Sequence, residues 1–368
     1  MIIGVPKEIK TKEFRVGMAP AGAHTLIDDG HTLLIEKGAG LGSGLTDEAY
    51  VEAGARIAES VDELYAQSDM IVKVKEPLPE EFPRFREGQI LFTYLHLAPS
   101  PELTRFLLER KVTGIAYETV QLEDSSLPLL TPMSLIAGRL AIQVGAHYLE
   151  KENGGKGLLL SGTPGVPPGK VVILGGGIVG ENAARMAIGM NADVTMMDIN
   201  LKKLTFLDEL YQNRMKTLFS TPYNIRNEVE KADLLIGAVL VAGARAPHLV
   251  SRDMVASMAP GSVIVDVSID QGGCIETIRP TSHEQPVYEV DGVLHYGVTN
   301  IPGAVSRTST FALTNATLPY ARLLAHKGFE QAVRENRPLY LGVNTHAGLL
   351  TNQPVAEALD LPFTELAV

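Results

Sequence analysis

Short apolar runs alternate with amphipathic segments from the first residue onward. The runs Ile2–Val5, Thr32–Glu36, Met70–Lys75, Gln89–His96 and Val112–Tyr117 have strand length and are mostly apolar. Parallel strands buried on both faces read this way. Helical segments are expected between them. One is Pro101–Arg110, with Ser100 placed as its N-cap. A longer helix is expected from about Met133 to Lys151, with Leu135, Leu140, Val144 and Tyr148 at near-helical spacing. The stretch Asn153–Lys170 is rich in Gly and Pro and excludes a long regular element. A second series of runs follows: Val171–Leu174, Val194–Asp198, Leu234–Val239, Val263–Ile269 and Val293–Val298. From about Ser306 the tail reads as helical, with Phe311, Leu313, Leu318 and Leu323. The pattern predicts an α/β fold of doubly wound, mainly parallel sheets. A length of 368 residues exceeds one ordinary core and predicts two domains.

Composition narrows the classes. The chain is 45% hydrophobic and 20% charged, as globular proteins are. Its 32 basic and 43 acidic residues give a net charge of −11, which argues against nucleic acid as the main partner. A phosphorylated cofactor remains compatible, because backbone amides can hold it locally. The single cysteine, Cys274, excludes an intrachain disulfide and a thiolate zinc set. No metal-ligand spacing is visible, so no metal is expected. Neither a signal-like leader nor a membrane-length apolar stretch is found, so a cytoplasmic location without membrane association is expected.

The strongest local motif follows the run Val171–Leu174. Gly175, Gly177 and Gly180 form G-x-G-x-x-G, with Ile178 opening the helical stretch after it. A dinucleotide site needs these glycines for a tight turn, a close backbone approach to pyrophosphate and helix–strand packing. The next run ends in Asp198, at the spacing of a carboxylate that binds ribose hydroxyls. Such a carboxylate repels a 2′-phosphate, which favours NAD over NADP. The bland alternative is a ligand-free turn with Asp198 as a helix cap.

Four ionisable residues stand where the strand pattern stops. Arg15 lies in the loop after the first run, and Lys75, His96 and Asp270 end or follow later runs. Open α/β sheets bind ligands beyond the carboxyl ends of their strands. Taken singly, each has an ordinary reading: a solvated arginine, a strand-end lysine, a hydrogen-bonded core histidine, a turn-forming aspartate. Only the shared position points to chemistry.

Several segments together resemble the alanine dehydrogenase / transhydrogenase NAD-binding subunit family. They include Lys7-Glu8 with Glu13-Phe14-Arg15-Val16, Val74-Lys75-Glu76-Pro77, Tyr94-Leu95-His96-Leu97, Gly175–Gly180 and Ile269-Asp270-Gln271-Gly272-Gly273. The resemblance runs nearly end to end. It implies an NAD-binding Rossmann domain over 133–305 and a discontinuous substrate domain over 1–132 plus 306–368. The active site is expected in the cleft between them.

The resemblance also implies roles. Arg15 grips the substrate carboxylate, Lys75 orients the carboxylate or carbonyl oxygen, and His96 and Asp270 form the acid–base pair. A guanidinium suits the first task through its planar pair of donors. Cofactor contacts are implied at Ser134, Gly175, Gly177, Ile178, Gly180, Asp198, Lys203, Ser220, Val239 and Leu240. Others are implied at Val267, Ser268, Ile269, Asp270, Arg279, Val298, Thr299, Asn300 and Ile301.

The activity implied is reversible, NAD-dependent oxidative deamination of L-alanine to pyruvate and ammonium, by a homohexamer. Alternatives are an NAD-binding transhydrogenase-like subunit or a related dehydrogenase for another amino acid. A nucleophilic role for Cys274 is not needed, because no step requires a covalent adduct.

Overall fold

The computed structural model describes residues 1–239 and 246–367. The chain divides into two compact units, Met1–Met133 with Val305–Val368 and Ser134–Ala304.

The first unit holds strands β1 (Ile2–Val5), β2 (Thr32–Glu36), β3 (Arg56–Ala58), β4 (Met70–Val72), β5 (Ile90–Thr93) and β6 (Thr113–Ala116). The second holds β7 (Lys170–Leu174), β8 (Asp193–Asp198), β9 (Lys216–Phe219), β10 (Leu234–Gly237), β11 (Val263–Asp266), β12 (Val287–Val290) and β13 (Val293–Tyr296). The tail returns β14 (Val343–His346) and β15 (Leu349–Leu350) to the first unit.

The first sheet runs β15-β14-β6-β5-β4-β1-β2-β3. β1 to β6 are parallel, whereas β14 and β15 add antiparallel at the edge. Its strands are apolar because both faces are covered. Leu34, Ile71 and Leu91 pack with Leu64, Tyr65, Leu103 and Leu107 from the flanking helices. The order reverses at β1, which lies between β2 and β4. A crevice is expected beyond the ends of β1 and β4, and Arg15 and Lys75 both follow those strands.

The second sheet runs β12-β13-β11-β10-β7-β8-β9, parallel except for the β12–β13 hairpin. Its reversal point is at β7, beside β10. Val172, Leu174, Met197, Leu235 and Ile264 form part of its buried core.

Several local expectations change. β4 stops at Val72, β5 at Thr93 and β11 at Asp266, so Lys75, His96 and Asp270 lie in the loops beyond. Strong apolarity continues past each strand because these loops are themselves buried, as Val74, Leu95 and Ile269 are. Ser100 precedes the helix Pro101–Glu109, but its side chain makes no cap bond. The long helix runs Thr131–Tyr148, and a 3-10 turn occupies Lys151–Asn153. The tail is helical over Ser306–Glu335, broken at Gly328 (φ 71°), and over Arg337–Gly342 and Gln353–Leu359, with β14 and β15 between the last two helices. Among the described residues no helix is long and apolar enough to cross a membrane.

Candidate active site

The loop after β1 and the loop after β4 meet over the first sheet's reversal point. Gly17 makes this approach possible, because a Cβ there would stand 2.6 Å from the Val72 carbonyl oxygen. Glu8 joins the loops. Its Oε1 accepts the Val74 N–H at 2.6 Å and its Oε2 lies 3.3 Å from Lys73 Nζ. Lys73 also donates to Glu81 at 2.7 Å, and Tyr65 donates its hydroxyl to the same carboxylate at 2.9 Å. All of this is buried. Burial raises the Glu8 carboxyl above its ordinary value even though Lys73 opposes it. Removing Lys73 would leave two buried carboxylates without their cation, a cost of about 3–5 kcal/mol.

Arg15 is 2% exposed. Its Nε donates to Glu13 Oε1 at 2.7 Å and its Nη2 to Glu13 Oε2 at 2.6 Å, while Nη1 faces Met133 Sδ at 3.2 Å. Burial works against its charge, but Glu13 outweighs burial, so its pKa is raised. One edge of the guanidinium is therefore committed to a neighbouring carboxylate.

Lys75 is half-buried, and no ion pair to it occurs among the described residues. Burial lowers its pKa, with Arg15 and Lys10 adding repulsion against the pull of Glu76. Glu76 itself pairs with Lys10. The Glu13–Arg15 pair is neutral as a unit, so Lys75 is the net positive charge beside it.

His96 follows β5 and has a left-handed backbone, φ 47°. That conformation is unusual for a residue with a side chain. Glu118, just past β6, holds it there. Its Oε1 accepts the His96 N–H at 2.6 Å, and both its oxygens accept the Leu95 N–H, at 3.1 and 3.2 Å. The same carboxylate lies 3.7 Å from His96 Nδ1. The Tyr94 ring lies parallel to the imidazole at 5.9 Å, and its hydroxyl donates to the Leu129 carbonyl at 2.6 Å. His96 remains 43% exposed, so its ring can be reached while its backbone is fixed. Such an imidazole can carry a proton to and from a bound molecule.

The second unit gathers its candidate residues along the carboxyl edge of its sheet. Gly175 (φ 101°) turns the chain out of β7. A Cβ at Gly180 would stand 1.8 Å from the Gly175 carbonyl oxygen, so only glycine fits this packing. A Cβ at Gly177 would meet nothing within 4 Å, and no side chain caps the helix Ile178–Gly189 that it opens. This open, amide-lined turn can take a phosphate.

Asp198 ends β8. Its oxygens accept the Gly176 N–H at 2.6 Å and the Asn200 N–H at 2.7 Å. The helix cap is Asn200, which accepts from Lys202 and Lys203, so the capping alternative for Asp198 does not hold. Ser220 lies alongside, its N–H on the Asp198 carbonyl at 3.1 Å. Val239 follows β10, and a Cβ at Gly175 would reach its nitrogen at 3.1 Å. Ser134 sits a turn before Gly138, whose helix packs against the Val179 carbonyl. The 3-10 turn Val267–Gln271 carries Val267, Ser268, Ile269 and the exposed Asp270 beyond β11.

Val298, Thr299, Asn300 (φ 65°) and Ile301 follow β13, with a parallel bridge between Thr281 and Val298. Arg279 runs beside Gly297, and its guanidinium covers the Tyr288 ring at 4.3 Å. Lys203 is exposed on the helix after Asp198. Leu240 lies outside the described residues. Cys274 is buried, and burial pushes its thiol well above the ordinary range, which works against the thiolate that a nucleophile requires.

Sequence patterns singled out neither Glu118 nor Asp266. Glu118 acts across to the neighbouring loop, and Asp266 sits inside an apolar run, so no local signal marks either.

Two family models match, "Alanine dehydrogenase/PNT, N-terminal domain" over residues 4–137 and "Alanine dehydrogenase/PNT, C-terminal domain" over residues 141–353. An alanine dehydrogenase of Methanococcus maripaludis is 62% identical over 365 residues, 99% of this chain and 98% of that protein. One from Staphylococcus haemolyticus is 56% identical, covering 100% and 98%. A solved L-alanine dehydrogenase superposes with a TM-score of 0.96 at 54% identity, over 98% of this chain and 99% of that one. A transhydrogenase from Sinorhizobium meliloti reaches 0.82 at 25% identity, over 96% and 99%. On these matches, which span both units, the chain belongs to the alanine dehydrogenase/PNT family.

Proposed function

We propose that this protein is an oxidoreductase that interconverts L-alanine and pyruvate with NAD, the first unit holding substrate and the second holding cofactor. The observation that carries this reading is the two cations Arg15 and Lys75 at the first sheet's reversal point, with an exposed, backbone-locked His96 following the adjacent β5. Full-length identity to alanine dehydrogenases supports it over a cofactor-binding subunit.

The turn Gly175–Gly180 would hold the pyrophosphate, and Asp198 the ribose hydroxyls. Its negative charge favours NAD over a 2′-phosphorylated cofactor. Ser134, Lys203, Ser220, Val239, Leu240, Val267–Ile269, Arg279 and Val298–Ile301 would complete the contacts. The nicotinamide, when bound, supplies a hydride acceptor.

The remaining work falls to side chains. Arg15 and Lys75 hold the substrate carboxylate and fix Cα, which is catalysis by orientation. Conversion of the amine to a carbonyl requires water to add and ammonia to leave, both with proton movement. His96 would carry that proton on Nε2, because Nδ1 faces Glu118. Asp270 would share the acid–base work as the second member of the pair. Assembly as a homohexamer and a cytoplasmic location remain part of this proposal, through the family.

A panel of amino and 2-oxo acids, followed by absorbance at about 340 nm with NAD(H) and NADP(H), tests the reading. Turnover of L-alanine and pyruvate with NAD is expected, and little with NADP. Cofactor binding without turnover of any amino acid would overturn it.

A further inference from the structure

Asp266 closes β11 with its side chain fully buried, and among the described residues no cation pairs with it. The hydrogen bonds it accepts come from backbone N–H groups and from the nearby Ser268 hydroxyl and Cys274 thiol. Oδ1 accepts from Ser268 at 2.9 Å, and Oδ2 accepts from Cys274 at 2.8 Å and Ile275 at 3.2 Å. The Cys274 thiol lies 3.8 Å from Oδ1. Ser268 is at the start of the turn that follows β11, and Cys274 and Ile275 are at its end. Asp270 stands in the middle.

Two glycines make room for the carboxylate. A Cβ at Gly237 would come within 2.6 Å of Oδ1, and one at Gly273 (φ 80°) would come within 2.2 Å of Ile278 Cγ2 and 2.9 Å of Oδ2. Burial raises the Asp266 carboxyl above its ordinary value, against the pull of these backbone bonds. A buried carboxylate without a cation is costly to the fold. What it supplies is a charge-assisted anchor reaching both ends of one turn.

We propose that Asp266 is a positioning residue, whose buried carboxylate clamps both ends of the turn over residues 267–273 and so fixes Asp270 for proton transfer. This rests on the assignment of Asp270 under the proposed function. Asp266→Asn keeps the size but removes the charge and turns an amide N–H₂ toward a backbone donor. Alanine-dependent turnover is expected to fall about 10–100-fold, the scale of a misplaced catalytic group. Backbone hydrogen exchange is expected to quicken about tenfold or more over residues 267–275, while β7 and β10 stay protected.

The deciding measurement is the double variant. Asp266→Asn with Asp270→Asn is expected to be no slower than Asp270→Asn alone, because nothing is left to position. A double variant slowed by the product of the two effects, or exchange quickened throughout the second unit, overturns the inference in favour of a general structural role. Gly273→Ala disturbs the same carboxylate from the loop side, with the same confined exchange expected. It serves where Asp266→Asn fails to fold. Full activity in Asp270→Asn overturns the assignment of Asp270 and this inference with it, which a multiplicative loss on a slow Asp270→Asn background would not resemble.

Discussion

Along the second unit's sheet edge, the candidate cofactor contacts are largely backbone: the open amides after Gly177, the turn at Gly175, the close packing at Gly180. Along the first unit's edge they are side chains, each held by another charged group: Arg15 by Glu13, His96 by Glu118, the β4 exit by Glu8 and Lys73. A diphosphate can be met by peptide dipoles, which need only a permitted backbone shape. A substrate carboxylate and a moving proton need groups with full charge or a suitable pKa, and those must be braced. Substitutions at these first-unit side chains should therefore cut deeper than substitutions around the second unit's cofactor turn.

The sharpest difference is expected at His96. His96→Ala should lower turnover in both directions by on the order of 10² or more, the usual scale of a positioned acid–base group. Glu118→Gln keeps an acceptor for the His96 N–H but loses its charge, and about a tenfold loss is expected. Steady-state kinetics on both variants checks this. Near-normal turnover in His96→Ala would return that residue to an ordinary loop role and remove the contrast between the units.

Arg15→Lys should raise the Michaelis constant for pyruvate by about 10–100-fold, as expected for loss of a charge-assisted, two-point contact. NAD affinity, read by fluorescence titration, should change little. Arg15→Ala should also lower thermal stability, because the buried Glu13 would lose its two-point bond to the guanidinium. Equal changes in both constants would mean that Arg15 only supports the loop.

Asp198→Ala should weaken NAD binding by about tenfold and narrow the preference over NADP, with turnover at saturating cofactor nearly intact. The modest size follows from the backbone that does most of the holding there. A collapse of turnover at saturation would break the comparison.

The smallest effect concerns pH. Burial and the neighbouring cations depress the Lys75 pKa from 10.5, so its charge is present at lower pH and is lost earlier than an ordinary lysine's. The pyruvate Michaelis constant should therefore begin to climb below that value. In Lys75→Arg the climb should vanish, since arginine keeps its charge. A pH series of pyruvate kinetics on the two proteins reads this directly.

The glycine turn and Asp198 were legible because their spacing is local and their physics is steric. Arg15, Lys75 and His96 could be picked out as candidates because apolar runs stop near each of them, and Asp270 was picked out the same way in the second unit. Glu118 was not, since it acts on a residue from the neighbouring strand and nothing local marks the pairing. Asp266 was read as part of a longer strand, because its burial sits inside an apolar run. The commitment of one Arg15 edge to Glu13 was also unreadable, although the two residues are close in sequence, since rotamers decide it.

Sequence by itself determined the mainly parallel α/β class, the course of β1, β2, β7 and β8, and the loops that carry the candidate chemistry. Apolar periodicity reports burial, and burial on both faces is what a parallel strand requires. Only the tertiary structure decided that β14 returns antiparallel to β6 with β15 antiparallel beyond it, that Glu118 reaches His96, and that Asp266 ties both ends of one turn. Those contacts depend on strand order, register and side-chain direction, which arise when distant segments pack and leave no periodic trace in the chain.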